Sequence, residues 1–452
     1  MMMLRIKDNS RKNKSDFSCI GNIAKKVADK SFEQLEQEGV LIFPPVVKDF
    51  EDITKDQMVL QSVNDCYCSS NVMGFIGYGN ERLVIESRFC KQNNDYFLQY
   101  LLSKVLNLPD IVNLQTDTAQ SNRLFNLLEF LFPFYLQNAT RKGIFKAYIR
   151  HEYNDANVKG AIDIARHIKS NTPFVGKISY NRREYSYDNY LTELVRHTVE
   201  FIKKKPYGNN LLAKIKNEVK IVVDATPDFI LNDRLKVVLK NKENPIRHAF
   251  YREYRALQHL CVLILQYQKH QIGSGIRQIY GILFDGAWLW EEYINTLVKE
   301  YFYHPMNKSG KGAQRLFNDN KGLIYPDFIG REQTNRIIAD AKYKPINNIG
   351  KGGDDYLQIL AYMMRFSSKK GYFFYPEIEE TNYERYWLNT GCTYENNVAQ
   401  RDDVCVIKCG LKIPKNADTY NEFASSMKEN EEKFMKLLDV TTDKTKNYDT
   451  KK

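Results

Sequence analysis

Leu323-Ile-Tyr-Pro-Asp327-Phe-Ile, a polar turn over Gly330–Asn335, then Arg336-Ile-Ile-Ala-Asp340-Ala-Lys342-Tyr-Lys344 is the stretch that decides how this chain is read. Two β-type runs flank a turn cluster, so the spacing predicts a hairpin. Strand side chains alternate faces, which sends Asp340 and Lys342 one way and Ala339 and Ala341 into the opposite layer. Asp327 heads the first strand, where the pairing brings it beside them. Two carboxylates and one ammonium converging on a strand pair make a seat for a divalent cation, with a lysine near its bound water. That is metal-assisted hydrolysis chemistry. A hard cation such as Mg²⁺ wants oxygen ligands. Asp327 and Asp340 fit as those ligands. Lys342 fits a group that orients or activates the attacking water, or steadies the charge that develops on the reacting centre.

A third acid is expected from the preceding helix. Leu289, Trp290, Tyr293, Ile294, Leu297 and Tyr301 recur at helical spacing and predict a helix over 287–301. On its wheel Glu291 falls at the edge of the apolar stripe, beside Val298, and Glu292 lies further toward water, so Glu291 is chosen. A solvated helix face is the plain alternative for either one. Downstream, a helix over 354–366 carries Gln358 and Tyr362 four residues apart, hence on one face. Gln358 is placed with the catalytic set, and Tyr362 and Lys344 are candidate DNA contacts. The parts are common: Asp319-Asn320-Lys321 is another D-x-K, and Pro227-Asp228-Phe229-Ile230 repeats Pro-Asp-Phe-Ile. Only the order strand, Asp-x-Lys, then helix with Q-x-x-x-Y is distinctive.

The chain has 452 residues, a net charge of +11 and a pI near 9.0, enough for two or three domains and compatible with a polyanionic partner. No run of 18 apolar residues occurs, so no membrane span is expected. The polar, basic start lacks a signal-peptide pattern, so a cytoplasmic protein is expected. The eight cysteines are scattered, with no C-x-x-C. Reduced thiols account for the set; Cys405 and Cys409 invite a metal reading, but a run that looks like a buried strand is the plainer one.

Residues 1–30 read as a frayed basic arm, and a β-like pattern follows over 32–89. Helices are expected at 95–106, 122–136, 187–203 and 245–271, and a turn leading into a strand at 158–166. Strands are expected at 372–375 and 404–407. The division is 1–140, β-rich and helical, as the partner-binding part; 141–278, basic and mainly helical; 279–426, an α/β sandwich; and 427–452, a charged tail. Arg141–Arg183 holds ten Lys/Arg against three Asp/Glu, interleaved with Tyr148, Tyr153 and Tyr180. A solvated basic surface is the bland explanation; a phosphate-tracking face, with Lys159 and Arg166 on it, is the sharper one.

With these residues in view, Glu291, Pro326-Asp327, Asp340-Ala-Lys342 and Gln358-x-x-x-Tyr362 resemble the PD-(D/E)xK nuclease core. More narrowly, the chain resembles the McrC nuclease subunits of McrBC-type, including LlaJI-like, restriction systems. Leu289-Trp-Glu291-Glu-Tyr-Ile and Asp355-x-x-Gln358-x-x-Ala-Tyr362 match that family. Lys159-Gly160-Ala-Ile-Asp163 resembles its R-G-x-I-D segment, with Lys for Arg, and Gly74-Phe-Ile-Gly-Tyr-Gly and Leu83-Val-Ile-Glu-Ser-Arg resemble its N-terminal β-region. The resemblance implies a mixed α+β protein: a β-rich N-terminal region, a helical middle, and a C-terminal nuclease core of central mixed sheet flanked by helices. It implies a Mg²⁺-dependent endonuclease acting on double-stranded, cytosine-modified foreign DNA. The implied partner is a McrB-like AAA+ GTPase hexamer whose GTP hydrolysis the N-terminal part stimulates, and complexes could pair through this subunit. No G-x-x-x-x-G-K-[ST] occurs, so GTP is expected on the partner. The alternatives are a stand-alone nuclease of repair or phage defence, and a non-catalytic adaptor of an AAA+ ring.

Overall fold

The computed structural model describes residues 2–43, 57–89, 96–106, 120–270, 279–305, 312–319, 321–379, 383–390 and 399–438. They form two compact units: Met1–Val112 together with Gly275–Lys452, and Asn113–Ser274. No described helix is long and apolar enough to cross a membrane.

The first unit opens with a five-stranded sheet. Its strand order is Met2–Lys7, Glu81–Glu86, Val72–Tyr78, Ile279–Asp285 and Val40–Phe43. The last two pair in parallel and are buried along their whole length, as expected of strands covered on both faces. Sequence reading put Ile279–Asp285 at the head of the third segment, yet its neighbours are N-terminal strands, so the chain closes this sheet almost two hundred residues after leaving it at Glu86. The frayed arm expected over 1–30 is instead ordered. Met2–Lys7 pairs with Glu81–Glu86, and Phe17, Ile20, Ile23, Ala24 and Val27 are buried in the core. Their three- and four-residue spacing is helical, but the surrounding basic residues hide it. Phe32–Glu38, read as β-like, is a helix started by a capping box between Ser31 and Gln34.

The Gly286–Val298 helix leaves that sheet directly. The Asp285 carboxylate caps it, accepting from the N–H groups of Ala287 (2.8 Å) and Trp288 (3.2 Å). Leu289, Trp290, Tyr293, Ile294 and Val298 are fully buried. The Trp290 indole donates to the Phe374 carbonyl at 3.0 Å, which fixes the helix against a second, six-stranded sheet. That sheet runs Phe302–Tyr303, Phe328–Gly330, Ile337–Ala341, Lys370–Glu377, Ala399–Lys412 and Tyr383–Thr390. Phe328–Gly330 and Ile337–Ala341 are antiparallel neighbours, the hairpin read from the sequence. Ile337–Ala341 then pairs in parallel with Lys370–Glu377, which makes the sheet mixed.

Helix Asp354–Arg365 covers one face, where Ile359, Tyr362 and Met363 pack with Ile338, Phe373, Tyr375 and Val406. Phe302, Phe328, Phe374 and Phe434 form an aromatic cluster with the closing helix Tyr420–Leu437. From 427 onward the sequence reads as a helix end and then a solvated charged terminus; the helix runs on to Leu437 and is packed into the core. Met427 and Phe434 are fully buried, and the buried Glu431 carboxylate accepts from the hydroxyls of Tyr100 (2.6 Å) and Tyr293 (2.7 Å). Residues 439–452 lie outside those described.

The second unit is not simply helical. Two nine-residue strands, Ala147–Asp155 and Ile178–Ser186, pair antiparallel and are joined by the short Ala161–Ile162 strand, with helices Tyr190–Lys203 and Arg252–His270 among those beside them. The strand expected to run through 158–166 ends after those two residues, because the Asp163 carboxylate accepts from the Arg166 N–H (3.1 Å) and starts helix Ile164–Ser170. Gly160 lies so close to the next strand that a Cβ there would sit 2.1 Å from the Asn181 carbonyl oxygen. The Lys159–Asp163 motif is thus explained by a close approach and a cap.

Candidate active site

The hairpin places the predicted residues as strand alternation requires. Asp340 and Lys342 share the face covered by helix Asp354–Arg365, and Ala339 is fully buried in the other layer. The Lys342 ammonium lies 2.6 Å from Asp340 Oδ2 and 3.4 Å from Asp355 Oδ1, and donates to Gln358 Oε1 at 2.8 Å. Gln358 in turn donates to the Tyr362 hydroxyl (2.7 Å), which donates to the Tyr325 carbonyl (3.2 Å). Two residues four apart on a helix thereby carry one line of hydrogen bonds from the lysine to the backbone beside Pro326-Asp327. Tyr362, read as a DNA contact, is buried and spent on this line; it supports Lys342 rather than offering a surface.

Asp327 precedes the first hairpin strand, and its Oδ2 accepts from the Ala341 N–H at 2.8 Å, across the hairpin. Burial, then the charges of Glu291 and Asp340, push its pKa well above the usual carboxylate range against the pull of the Ala341 N–H and Lys342. Asp340 is also raised, by burial first and then by Asp355, with Lys342 opposing. Glu291 is 9 % exposed, at the buried edge that periodicity assigned to it. Asp355 and Lys344 complete the group. Asp355 Oδ2 accepts from Lys344 Nζ (2.6 Å) and the Gly350 N–H (2.7 Å). Lys344 is therefore engaged with Asp355, whose pKa Lys344, Lys342 and that N–H lower despite burial.

For Lys342, burial favours the neutral amine, but Asp340 first, then Asp327 and Asp355, overcome it and raise the pKa. An ammonium held so firmly is a poor proton acceptor. In this state orienting water and steadying negative charge suit the group, and an ion on the same carboxylates would weaken the pull that keeps it protonated.

Among the described residues no three acidic, histidine or cysteine side chains stand as a ready-made metal cage. The donor chemistry nevertheless suits a hard ion. Four carboxyl groups (Glu291, Asp327, Asp340, Asp355) stand with two ammonium groups (Lys342, Lys344), more acids than bases and every acid donor an oxygen. A divalent cation would reverse the repulsion that raises Asp327.

Sequence reasoning gave Asp355 no role and passed over His304. The His304 side chain is 6 % exposed, and its Nδ1 lies 2.9 Å from the Asp327 carbonyl oxygen. Burial lowers its pKa, but Glu292 and the Asp327 carbonyl outweigh this and raise it. Nothing in the local pattern around 300–305 flags a single histidine beside a short edge strand.

Gly286 supports the site from behind. A Cβ there would fall 2.7 Å from the Tyr343 ring, which sits next to Lys342 and is pinned by a 2.8 Å hydrogen bond to Ser87 and edge contact with Phe89. Gly286→Ala is expected to cost about 1–3 kcal/mol of stability by overpacking, measured by denaturant unfolding, and to slow any reaction that depends on Lys342.

The basic candidates lie in the other unit. Lys159 is exposed. The Arg166 guanidinium is engaged internally, 2.7 Å from both Glu152 Oε2 and the Tyr180 carbonyl and 3.2 Å from the Tyr153 carbonyl, so it ties helix Ile164–Ser170 to the sheet rather than facing outward. Tyr148, Tyr185 and Tyr187 are exposed, with Arg183 over the first ring and Lys146 over the other two. Cys405 and Cys409 are buried free thiols.

No curated protein matches the chain. Two solved structures are similar to it. One is the refined half-complex from the tetradecameric assembly of Thermococcus gammatolerans McrB AAA+ hexamers with bound McrC, at 15% identity and a TM-score of 0.47, covering 94% of this chain and 99% of that one. The other is the Thermococcus gammatolerans McrBC complex, at 17% identity and a TM-score of 0.30, covering 66% of this chain and 87% of that one. The family model of the McrBC 5-methylcytosine restriction system component matches residues 69–376, more than half of the sequence, and the chain belongs to that family.

Proposed function

We propose that this chain is the DNA-cleaving subunit of a McrBC-type restriction complex, a Mg²⁺-dependent endonuclease driven by a McrB-like AAA+ GTPase ring. The observation that carries this reading is the Lys342 ammonium held between Asp340 and Gln358, with Asp327 and Glu291 crowded at the same hairpin. A protein that only gated a ring has no physical need for a cluster of acids gathered around one lysine in this way.

Asp327, Asp340 and Glu291 would hold the divalent ion. Such an ion, when bound, neutralises charge on the phosphate and lowers the pKa of a water. Lys342, fixed as an ammonium, donates hydrogen bonds to that water or to a phosphoryl oxygen and stabilises negative charge as it builds. Gln358 and Tyr362 hold Lys342 in place, so little reorganisation is needed at the moment of reaction. The sequence has no phosphate-binding G-x-x-x-x-G-K-[ST], which leaves GTP to the ring. The family description points to 5-methylcytosine DNA as the target.

The test is to co-purify the full chain with a McrB-like AAA+ GTPase and to supply cytosine-methylated or unmethylated plasmid with Mg²⁺ and GTP. Cleavage that needs the ring, GTP and methylation supports the proposal. Cleavage by the chain alone would make it a stand-alone nuclease, and GTPase stimulation without any cleavage would make it an adaptor.

A further inference from the structure

One imidazole touches both elements that bring acids to the site. His304 follows the Phe302–Tyr303 edge strand, and its ring stacks on Phe328 with centroids 5.2 Å apart and planes 26° from parallel. A carbonyl oxygen only accepts, so the 2.9 Å contact with the Asp327 carbonyl fixes the hydrogen on Nδ1. Nε2 then faces the helix, buried and without a hydrogen bond among the described residues, 3.7 Å from Glu291 Oε1 and 3.5 Å from Glu292 Oε1. The ring is locked by the stack on one side and spans the Asp327 peptide and the glutamate pair with its two nitrogens. Glu291 and Glu292 are adjacent on the helix, and the ring lies where one oxygen of each comes within 3.7 Å of Nε2.

We propose that His304 is a positioning residue of the cleavage site: it hydrogen-bonds the Asp327 peptide and packs its other edge against the glutamate-bearing helix, and so sets how well Asp327 and Glu291 together hold the divalent ion. This rests on the nuclease reading above. Partners behind metal ligands of this kind typically alter metal affinity or activity by about 10- to 100-fold when removed.

The test uses the full chain in wild-type, His304→Phe, His304→Asn and Asp340→Asn forms. Mn²⁺ binding is measured by calorimetry, and the half-saturating Mg²⁺ concentration for plasmid cleavage is measured with the ring partner. GTPase stimulation of the ring reports folding and assembly. His304→Phe keeps the stack and loses both polar contacts; its Mn²⁺ affinity is expected to fall about 10- to 100-fold, with the Mg²⁺ requirement rising in step and GTPase stimulation unchanged. His304→Asn keeps a donor near the Nδ1 position and is expected to recover part of the loss. If His304→Phe fails to fold, His304→Asn decides the matter by whether its Mn²⁺ affinity is lowered.

Mn²⁺ affinity within twofold of wild type in the folded variants, beside a clear loss in Asp340→Asn, overturns the positioning role and leaves the nuclease reading standing. A wild-type chain that neither binds Mn²⁺ nor cleaves overturns both.

Discussion

Asp340→Asn is expected to lower plasmid cleavage by at least about 100-fold, because the loss of one ligand charge removes several kcal/mol of charge stabilisation from the transition state. The substitution keeps the shape of the side chain and removes only its capacity to ionise. Its effect on stability should be small. Burial, then Asp355, raise the Asp340 pKa in the folded chain. A carboxyl raised in this way costs stability as pH rises through its folded pKa, since the fold disfavours the ion that forms. Asparagine cannot ionise and removes that slope, while Lys342 keeps Gln358 and Asp355 as acceptors. Asp340 also favours the Lys342 ammonium 2.6 Å away, so the two effects oppose and the melting temperature should change little at neutral pH. Paired melting curves and cleavage assays check this; a variant that loses both together would point to a structural role for Asp340.

Lys342→Met is expected to lose on both counts. It removes the cation 2.6 Å from Asp340, whose side chain is only 4 % exposed. Breaking one side of a buried pair costs about 3–5 kcal/mol, less where the stranded acid takes up a proton. Asp355 fares better because Lys344 remains beside it. Cleavage should fall by about 100- to 1,000-fold, the usual effect of removing one pre-organised group that meets developing charge. Lys342→Arg is not expected to rescue it, since a planar guanidinium cannot place its donors on three acceptors arranged around a point charge. Single-turnover cleavage with saturating Mg²⁺ measures the effect, and a wild-type rate in Lys342→Met would remove the residue from the chemistry.

The parts of this site that were legible in the sequence are those fixed by short-range geometry. Strand alternation put Asp340 and Lys342 on one face, helical spacing put Gln358 over Tyr362, and the wheel put Glu291 at the buried edge; the coordinates place all three accordingly. Relations across the chain were not legible. Nothing near Ile279–Asp285 says that its partners are Val40–Phe43 and Val72–Tyr78, because a continuous apolar strand can pair with any other. Nothing near His304 says that its ring meets the Asp327 carbonyl twenty-three residues on. The N-terminal segment misled for a different reason: Phe17, Ile20, Ile23 and Val27 carry a helical pattern, but composition drew attention to the lysines between them. Arg166 and Tyr362 misled because residue type suggests surface chemistry, whereas backbone carbonyls nearby claim their donors.

The central claim is that Asp327 and Asp340, with Glu291, gather a hard divalent ion beside Lys342. Anomalous diffraction from crystals of the full chain soaked in Mn²⁺ tests it most directly. The account predicts anomalous density in contact with the Asp327 and Asp340 carboxylates, lost in Asp340→Asn. Mn²⁺ bound only elsewhere, or density at the hairpin that persists unchanged in Asp340→Asn, would contradict it.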